Sequence, residues 1–379
     1  MINFNLSEEQ ILIKKTAREF AMNELLQGAI ERDEKKQWPK EQIQKMAKLG
    51  FLGIMVDQKW NGGGMDTISY AIAMEEISAV DASAAVVMSV NNSLVCYLIE
   101  HFGNDFQKEK YLTKLACGEQ LGAFSLSEPQ SGSDASNMIT TASKDDDFYI
   151  INGTKNWVTN GINSDLVLVF AMTEKGVGHK GISCFIVDKE LDGFECGKPE
   201  NKLGIRSSDT CELYFDNVKV PKENLIGEEG SGFKIALATL DGGRIGIAAQ
   251  ALGIATSSLN HSISYSKERH QFGKPIASNQ GIQFKIADMA MEIEAARLLI
   301  WKAAWAKDNH QNFGVIASMA KVYASEVAMK ASTQCVQIHG GYGYIKETGV
   351  ERLMRDAKIT QIYEGTSEIQ RVVIARSLL

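Results

Sequence analysis

Residues 148–161, FYIINGTKNWVTNG, decide the architecture, because helical patterning stops there. Aromatic and β-branched residues alternate with turn formers, and both FYIING and NWVTNG end on Asn-Gly, as strands running into tight turns do. The runs DLVLVFAM (165–172), GISCFIVD (181–188) and CELYFDNVKV (211–220) have the same character. A small β domain is therefore expected from about residue 122 onward. The chain has only five prolines, and three of them (Pro129, Pro199, Pro221) fall in this middle part, which leaves long proline-free flanks able to form helices.

On the N-terminal side, Ser7 and Gln10 have the spacing of a capping box, and Ile13, Ala17, Phe20 and Ala21 then line one helical face. Further helices are predicted over 40–49, 66–77, 83–102 and 106–117, with the glycines 62–64 as a turn. Beyond Pro221 the helical period returns, and Ile282, Ile286, Met289, Ile293 and Ile300 keep a seven-residue rhythm suited to a bundle. The expected fold class is α+β, mainly α: an all-helical domain over 1–121, a β domain over 122–229 and a four-helix bundle over 230–379. Helices, then strands, then helices imply segregated layers rather than alternating βα units. No GxGxxG follows a strand and no GxxxxGK[ST] occurs, so a Rossmann or P-loop nucleotide site is not supported.

The 379 residues carry 40 Lys+Arg against 47 Asp+Glu, a net charge of −7, which disfavours nucleic acid or an anionic membrane as partner. The six cysteines (96, 117, 184, 196, 211 and 335) form no CxxC, and the histidines form no HxxxH, so neither a disulfide framework nor a zinc site is indicated. MINFNLSEEQ lacks the basic end and apolar run of a signal peptide, and no apolar stretch approaches the ~18 residues of a membrane helix. A soluble cytoplasmic protein is expected.

Five segments carry candidate chemistry. AFSLSEPQSGSDAS (123–136) is rich in hydroxyls and small residues that let backbone amides approach an anion or a flat heterocycle; a solvated linker would have the same composition. In KNWVTNG, Trp157 and Thr159 share a strand face and could wall a flat cofactor, or Trp157 could serve packing alone. QIHGGYGY (337–344) offers amides near a helix end, and Arg269 in RHQFGKP could meet a pyrophosphate; both are also compatible with plain turns. His339 has no visible partner, which favours a structural role. In ITQIYEGTSEIQ (359–370), Glu364 is either a carboxylate whose basicity an apolar setting raises, or a solvated residue before a helix capped by Thr366 or Ser367.

Taken in order, these segments resemble the acyl-CoA dehydrogenase family of flavoproteins from about Ser7 to Leu379, and Val86 to Ile99 (VVMSVNNSLVCYLI) is similar to the short-chain, butyryl-CoA type. The resemblance implies a helical domain, a β domain and a four-helix bundle in a homotetramer, a dimer of dimers. It casts Glu364 as the base that takes the substrate α-proton, with Gly365 near the thioester. Phe124, Leu126, Ser127, Gly132 and Ser133 match flavin-lining positions, and Ser133 also a contact to CoA. Trp157, Val158 and Thr159 match the strand behind the isoalloxazine. Asp241, Gly242, Gly243 and Arg244 match positions gripping CoA. Arg269, Gln280 and the run Gln337, Ile338, His339, Gly340 and Gly341 match contacts to FAD made by a neighbouring subunit, and Thr366, Ser367 and Glu368 a further FAD stretch.

His339 and Gln130 depart from the common pattern, which has an aliphatic residue and a glycine there. Some relatives carry the base at the position of Gly243, which cannot serve. The implied reaction converts a short acyl-CoA, butyryl-CoA preferred, to the trans-2-enoyl-CoA, with FAD taking the β-hydride and electrons passing to an electron-transferring flavoprotein. Alternatives are an acyl-CoA oxidase using oxygen, a dehydrogenase of another short or branched acyl-CoA, and a CoA-thioester binding protein without flavin.

Overall fold

A computed structural model describes residues 5–379. The N-terminal part is helical: α1 (Glu8–Phe20), α2 (Ala29–Lys35), α3 (Lys40–Lys48), α4 (Thr67–Ser78), α5 (Ala82–Ser89), α6 (Tyr97–Phe102), α7 (Asp105–Gln107) and α8 (Thr113–Cys117). The expected capping box forms: the Gln10 amide donates to Ser7 Oγ at 3.1 Å and the Ser7 amide to Gln10 Oε1 at 3.0 Å. Asp66 and Asp81 cap α4 and α5 by accepting from first-turn amides, those of Ser69 and of Ser83 and Ala84, without the reciprocal bond. Ala17, Phe20 and Ala21 are buried as their spacing demanded.

Between α5 and α6 the chain runs as a π-helix, Val90–Cys96, and every residue of it is buried. Wide π turns are found chiefly where function requires them. Two asparagines make burial tolerable here, since Asn91 Nδ2 donates to the carbonyls of Leu52 (2.9 Å) and Leu115 (3.0 Å), and Asn92 Nδ2 to that of Phe51 (2.7 Å). The whole run Ala82–Phe102, 21 residues with mean hydropathy 1.6, is long and apolar enough to cross a membrane, which corrects the expectation that no stretch approaches that length. Its scattered Ser and Asn hid an apolar average, and 94% of the apolar window is packed inside the protein.

The middle part is a sheet in the order β6 (Phe194–Cys196), β7 (Thr210–Pro221), β3 (Phe148–Thr159), β2 (Thr141–Asp145), β4 (Leu166–Met172), β5 (Ile182–Asp188), β8 (Leu225–Ile226), with β1 (Gly122–Ser125) parallel to β4. FYIING and NWVTNG are thus one 12-residue strand, not two. Its register against β7 slips between Lys155 and Val158, a bulge that turns Trp157 outward at φ +60°.

Three long helices follow, α9 (Gly232–Glu268), α10 (Gln280–Asp308) and α11 (Gly314–His339), then α12 (Val350–Ile359) and α13 (Ser367–Leu378). The helical bundle is built from these three packed on one another, with α12 against α9 and α11 and α13 against α11. A two-stranded hairpin of β9 (His270–Gln271) and β10 (Lys274–Pro275) links α9 to α10. Met289, Ile293 and Ile300 are buried, as the seven-residue rhythm predicted.

One ion pair ties the loop after β1 to β3. Lys155 Nζ donates to Glu128 Oε1 at 2.9 Å and to the Leu126 carbonyl at 3.1 Å, with both side chains wholly enclosed. The Ile139 and Thr140 amides, at 2.6 and 3.0 Å, and Gln130 Nε2, at 2.7 Å, complete the carboxylate's shell. Removing one partner strands the other charge, so K155M or E128Q should each lower unfolding free energy by about 3–5 kcal/mol, whereas the double variant K155M/E128L should lose less than the two singles combined. Urea melts read by circular dichroism check this.

Candidate active site

Glu364 and Gly365 stand in the turn between α12 and α13, at φ +51° and +92°. A left-handed glutamate is strained, and its neighbours hold it. Lys321 Nζ and Gln370 Nε2 donate to the Gly365 carbonyl at 2.7 and 2.9 Å, and Gln370 also reaches the Glu364 carbonyl at 3.2 Å. The preceding Tyr363 hydroxyl donates to Gln250 Oε1, and Gln250 Nε2 in turn donates to the Ala82 carbonyl at 2.8 Å. With both carbonyls occupied, the Glu364 amide N–H meets no backbone or side-chain acceptor among the described residues.

The glutamate as a whole is half-buried, yet its Oε2 atom is enclosed and has no hydrogen-bond partner. Burial pushes the carboxyl up to about 7, although the charges of Lys321 and Arg244 pull it down. Space for the carboxylate comes from Gly243 in α9: a Cβ there would stand 2.1 Å from Glu364 Oε2 and 2.8 Å from Leu94 Cδ2. Arg244 binds Asp241 through the same nitrogen that meets Ser318 Oγ at 3.2 Å, and burial lowers its basicity. The geometry therefore brings Glu364, Gly365, Gly243 and Arg244 together from segments 120 residues apart (364 − 244). Gly242 lies beside them in α9, and Asp241 is half-buried at the edge.

The same π segment that carries Leu94 also reaches the sheet, since a Cβ on Gly122 would touch Val95 Cγ1 at 2.4 Å. From β1 the chain passes through Phe124, whose ring packs 5.0 Å from that of Phe170, into Leu126 and Ser127. The Asn156 amide donates to the Ser127 carbonyl at 2.9 Å, so this loop lies against the strand of Trp157, Val158 and Thr159. Val158 is buried between the outward Trp157, 61% exposed, and the half-buried Thr159. Gly132 and Ser133 are exposed, and a Cβ at Gly132 would meet nothing within 4 Å. An uncovered indole beside hydroxyls and open backbone suits a flat, partly polar cofactor such as a flavin.

A third group gathers at the far end of the long helices. The Arg269 guanidinium lies 5.7 Å from the Tyr342 ring centre, and His339 stacks on Tyr265 at 4.2 Å. Gln280, Gln337, Gly340 and Gly341 are exposed, while Ile338 and His339 are buried. His339 Nδ1 faces the Cys335 carbonyl at 2.8 Å and burial depresses its basicity, a packed neutral ring rather than a proton carrier. Thr366 caps α13 through the Ile369 amide, Ser367 is buried and Glu368 is exposed. The helix start capped by Thr366 is present, but Glu364 is not the solvated residue that reading made of it, since its Oε2 is enclosed.

Sequence reasoning passed over Lys321, Gln250 and Tyr363. The available signal was a lone lysine inside the alanine- and serine-rich run IASMAKVYAS, where a buried charge needs a purpose.

Because the folded carboxyl of Glu364 binds its proton more tightly than an unfolded one, this group makes the protein less stable as pH rises from about 4.5 to about 7. E364Q should remove that slope and exceed the parent in stability above pH 7 by about 1 kcal/mol. Urea midpoints at pH 5 and pH 8 read it.

The description "Acyl-CoA dehydrogenase, N-terminal domain" matches residues 7–119, the middle domain 123–218 and the C-terminal domain 230–379. The short-chain specific acyl-CoA dehydrogenase of Clostridium acetobutylicum is 49% identical over 374 residues, 99% of either chain. The solved structure of butyryl-CoA dehydrogenase from Megasphaera elsdenii superposes with a TM-score of 0.98 at 50% identity over 100% of both chains. A chain from a structure concerning the electron transferring flavoprotein of Acidaminococcus fermentans gives 0.99 at 50% identity, again over 100% of both. The protein belongs to the acyl-CoA dehydrogenase family, whose members are flavoprotein oxidoreductases.

Proposed function

We propose that this protein is a cytoplasmic enzyme that dehydrogenates a short-chain acyl-CoA, butyryl-CoA by preference, at the α,β bond to give the trans-2-enoyl-CoA, with Glu364 as the base. The observation that carries the reading is the enclosed, unpartnered Glu364 Oε2 beside an amide N–H that no protein acceptor uses. A thioester α-carbon is a weak acid, so deprotonation needs a base of raised basicity and a donor for the developing enolate oxygen. Glu364 supplies the base at Oε2 and the donor at its own N–H. Lys321 and Gln370 hold the neighbouring carbonyls away from the thioester oxygen. Arg244, close enough to lower the Glu364 carboxyl's basicity, keeps part of it ionised near neutral pH.

The residues around Trp157 fit FAD: Phe124, Leu126, Ser127, Gly132, Ser133, Val158 and Thr159 would hold the ring system, and Thr366, Ser367 and Glu368 a further part of it. Bound there, FAD supplies the acceptor for the β-hydride. Asp241 to Arg244 with Ser133 would grip the CoA moiety. The short-chain preference is supported by the names of the relatives and by the segment Val86–Ile99, buried except for the half-buried Tyr97 and carrying Val86, Val87, Val90, Leu94, Val95, Leu98 and Ile99. The likeness to a chain studied with an electron-transferring flavoprotein supports such a protein as electron acceptor. The proposed domain limits are 1–121, 122–229 and 230–379.

We also assign a homotetramer. Phe284, Met291, Leu298 and Trp305 are 60%, 63%, 40% and 49% exposed and recur every seven residues on α10, an apolar seam without a cover in the single chain. The exposed Arg269, Gln280, Gln337, Gly340 and Gly341, with the buried Ile338 and His339 behind them, would then complete the neighbouring subunit's FAD site.

E364Q should keep its yellow colour yet fail to bleach with butyryl-CoA under anaerobic conditions; normal bleaching would remove Glu364 as the base. The rising limb of kcat/KM against pH should centre near 7, and K321M should move it upward by about one pH unit, because an attractive charge is lost. M291D/L298D should shift the protein to smaller species in analytical ultracentrifugation and lower its flavin content together.

A further inference from the structure

The edge of the sheet places two thiols side by side. Cys196 ends β6 opposite Leu213, and Cys211 lies two residues before Leu213 on β7, so both side chains project from one face as diagonal neighbours. The two thiols lie close enough for each to shift the other's acidity. Both also close on one glycine: Cys196 Sγ donates to the Gly161 carbonyl at 3.3 Å, and a Cβ on Gly161 would stand 2.6 Å from Cys211 Sγ. Lys189 Nζ, which donates to the Ile162 carbonyl at 2.6 Å, lies beside Cys196, and the Asp209 carboxylate faces the pair as well. Cys196 is exposed and Cys211 is buried behind it.

We propose that Cys196 and Cys211 form a peroxide-reactive dithiol that closes a reversible disulfide beneath the strand carrying Trp157 and Thr159. In the first step the Cys196 thiolate attacks one oxygen of a hydroperoxide; the S–O bond forms, the O–O bond breaks, and hydroxide or alkoxide leaves and takes a proton. In the second, the Cys211 sulfur attacks the Cys196 sulfenic acid; the S–S bond forms, the S–O bond breaks, and the hydroxyl departs as water with the Cys211 proton. Two thiols lose two electrons, and with hydrogen peroxide as oxidant the products are the disulfide and two waters.

The chemistry of each thiol agrees with its part. The neighbouring Cys211 thiol, opposed by burial and aided by the Lys189 charge, lowers the Cys196 thiol below the ordinary thiol value, which raises the fraction present as nucleophilic thiolate. The Cys196 side chain and burial push the Cys211 thiol up, leaving it protonated until the sulfenic acid forms. The other four thiols differ: Cys96, Cys184 and Cys335 are buried with their basicity raised by burial, and the exposed Cys117 donates to the Lys114 carbonyl at 3.4 Å.

The flavin-loaded C117S variant, first reduced with dithiothreitol and desalted, is exposed to a small excess of hydrogen peroxide. The expected result is the loss of two free thiols, a mass lower by two hydrogens, a Cys196–Cys211 linked peptide in a digest, and full recovery of both thiols with dithiothreitol. With C211S added, dimedone should label Cys196 and no linked peptide should form; with C196S added, neither thiol loss nor label should appear. Absence of the linked peptide in the C117S protein, or thiol loss that C196S leaves unchanged, overturns the proposal.

Discussion

A carboxylate oxygen that nothing hydrogen-bonds is costly inside a protein, and the fold around Glu364 is arranged so that it stays that way. Its side chain projects from two consecutive left-handed residues, a conformation the free chain would abandon. The restraint comes from α11 through Lys321, from α13 through Gln370 and from α9 through the Gln250–Tyr363 bond. None of these groups touches the carboxylate oxygens themselves. They bind the Glu364 and Gly365 carbonyls and the side chain of the preceding Tyr363, which fixes the direction of the glutamate side chain while leaving Oε2 free. The glycine at 243 completes the arrangement by absence, because any side chain there would occupy the carboxylate's own volume.

Lys321 serves two ends that pull against each other. Its ammonium bonds the Gly365 carbonyl and so shapes the turn, while its charge lowers the basicity that burial of Glu364 had raised. Burial alone would leave the carboxyl protonated at neutral pH, and a fully solvated one would be too weak a base for a thioester α-carbon. A value near 7 is the compromise, set by one enclosed ammonium and one guanidinium, and the ammonium is itself lowered to about 8 by its burial. Glu128 and Lys155 show the opposite balance. There the carboxylate is saturated by an ammonium, two backbone amides and the Gln130 side-chain amide and falls to about 2 despite burial, so it anchors the loop to β3.

Periodicity revealed the helix, strand, helix order because it is a property of neighbours in the chain. Ser7 and Gln10 cap α1 through residues three apart, and Met289, Ile293 and Ile300 meet the core every helical repeat. Glu364 was legible only as a choice between base and helix start, since nothing local says that α9 will bring Gly243 and Arg244 beside it. Lys321, Gln250 and the Lys155–Glu128 pair were not legible, because each acts through a partner 27 or more residues away. The bulge at Trp157 was hidden for a different reason: alternation predicts a side chain's face but not a slip of register, which depends on the facing strand.

Two sets of residues remain open on the single chain, and α10 connects them. Gln280 is the first residue of this helix, beside the hairpin that follows Arg269, and the apolar seam from Phe284 to Trp305 runs down the same helix. A second copy laid on that seam would remove the four large side chains from water, and each buried side chain of this size contributes about 1.5–3 kcal/mol. The polar group at the head of α10 would then be held at a fixed position relative to the neighbour. Cofactor retention and assembly would thus depend on one surface, so that loosening the apolar contacts would weaken the hold on a group those residues never touch.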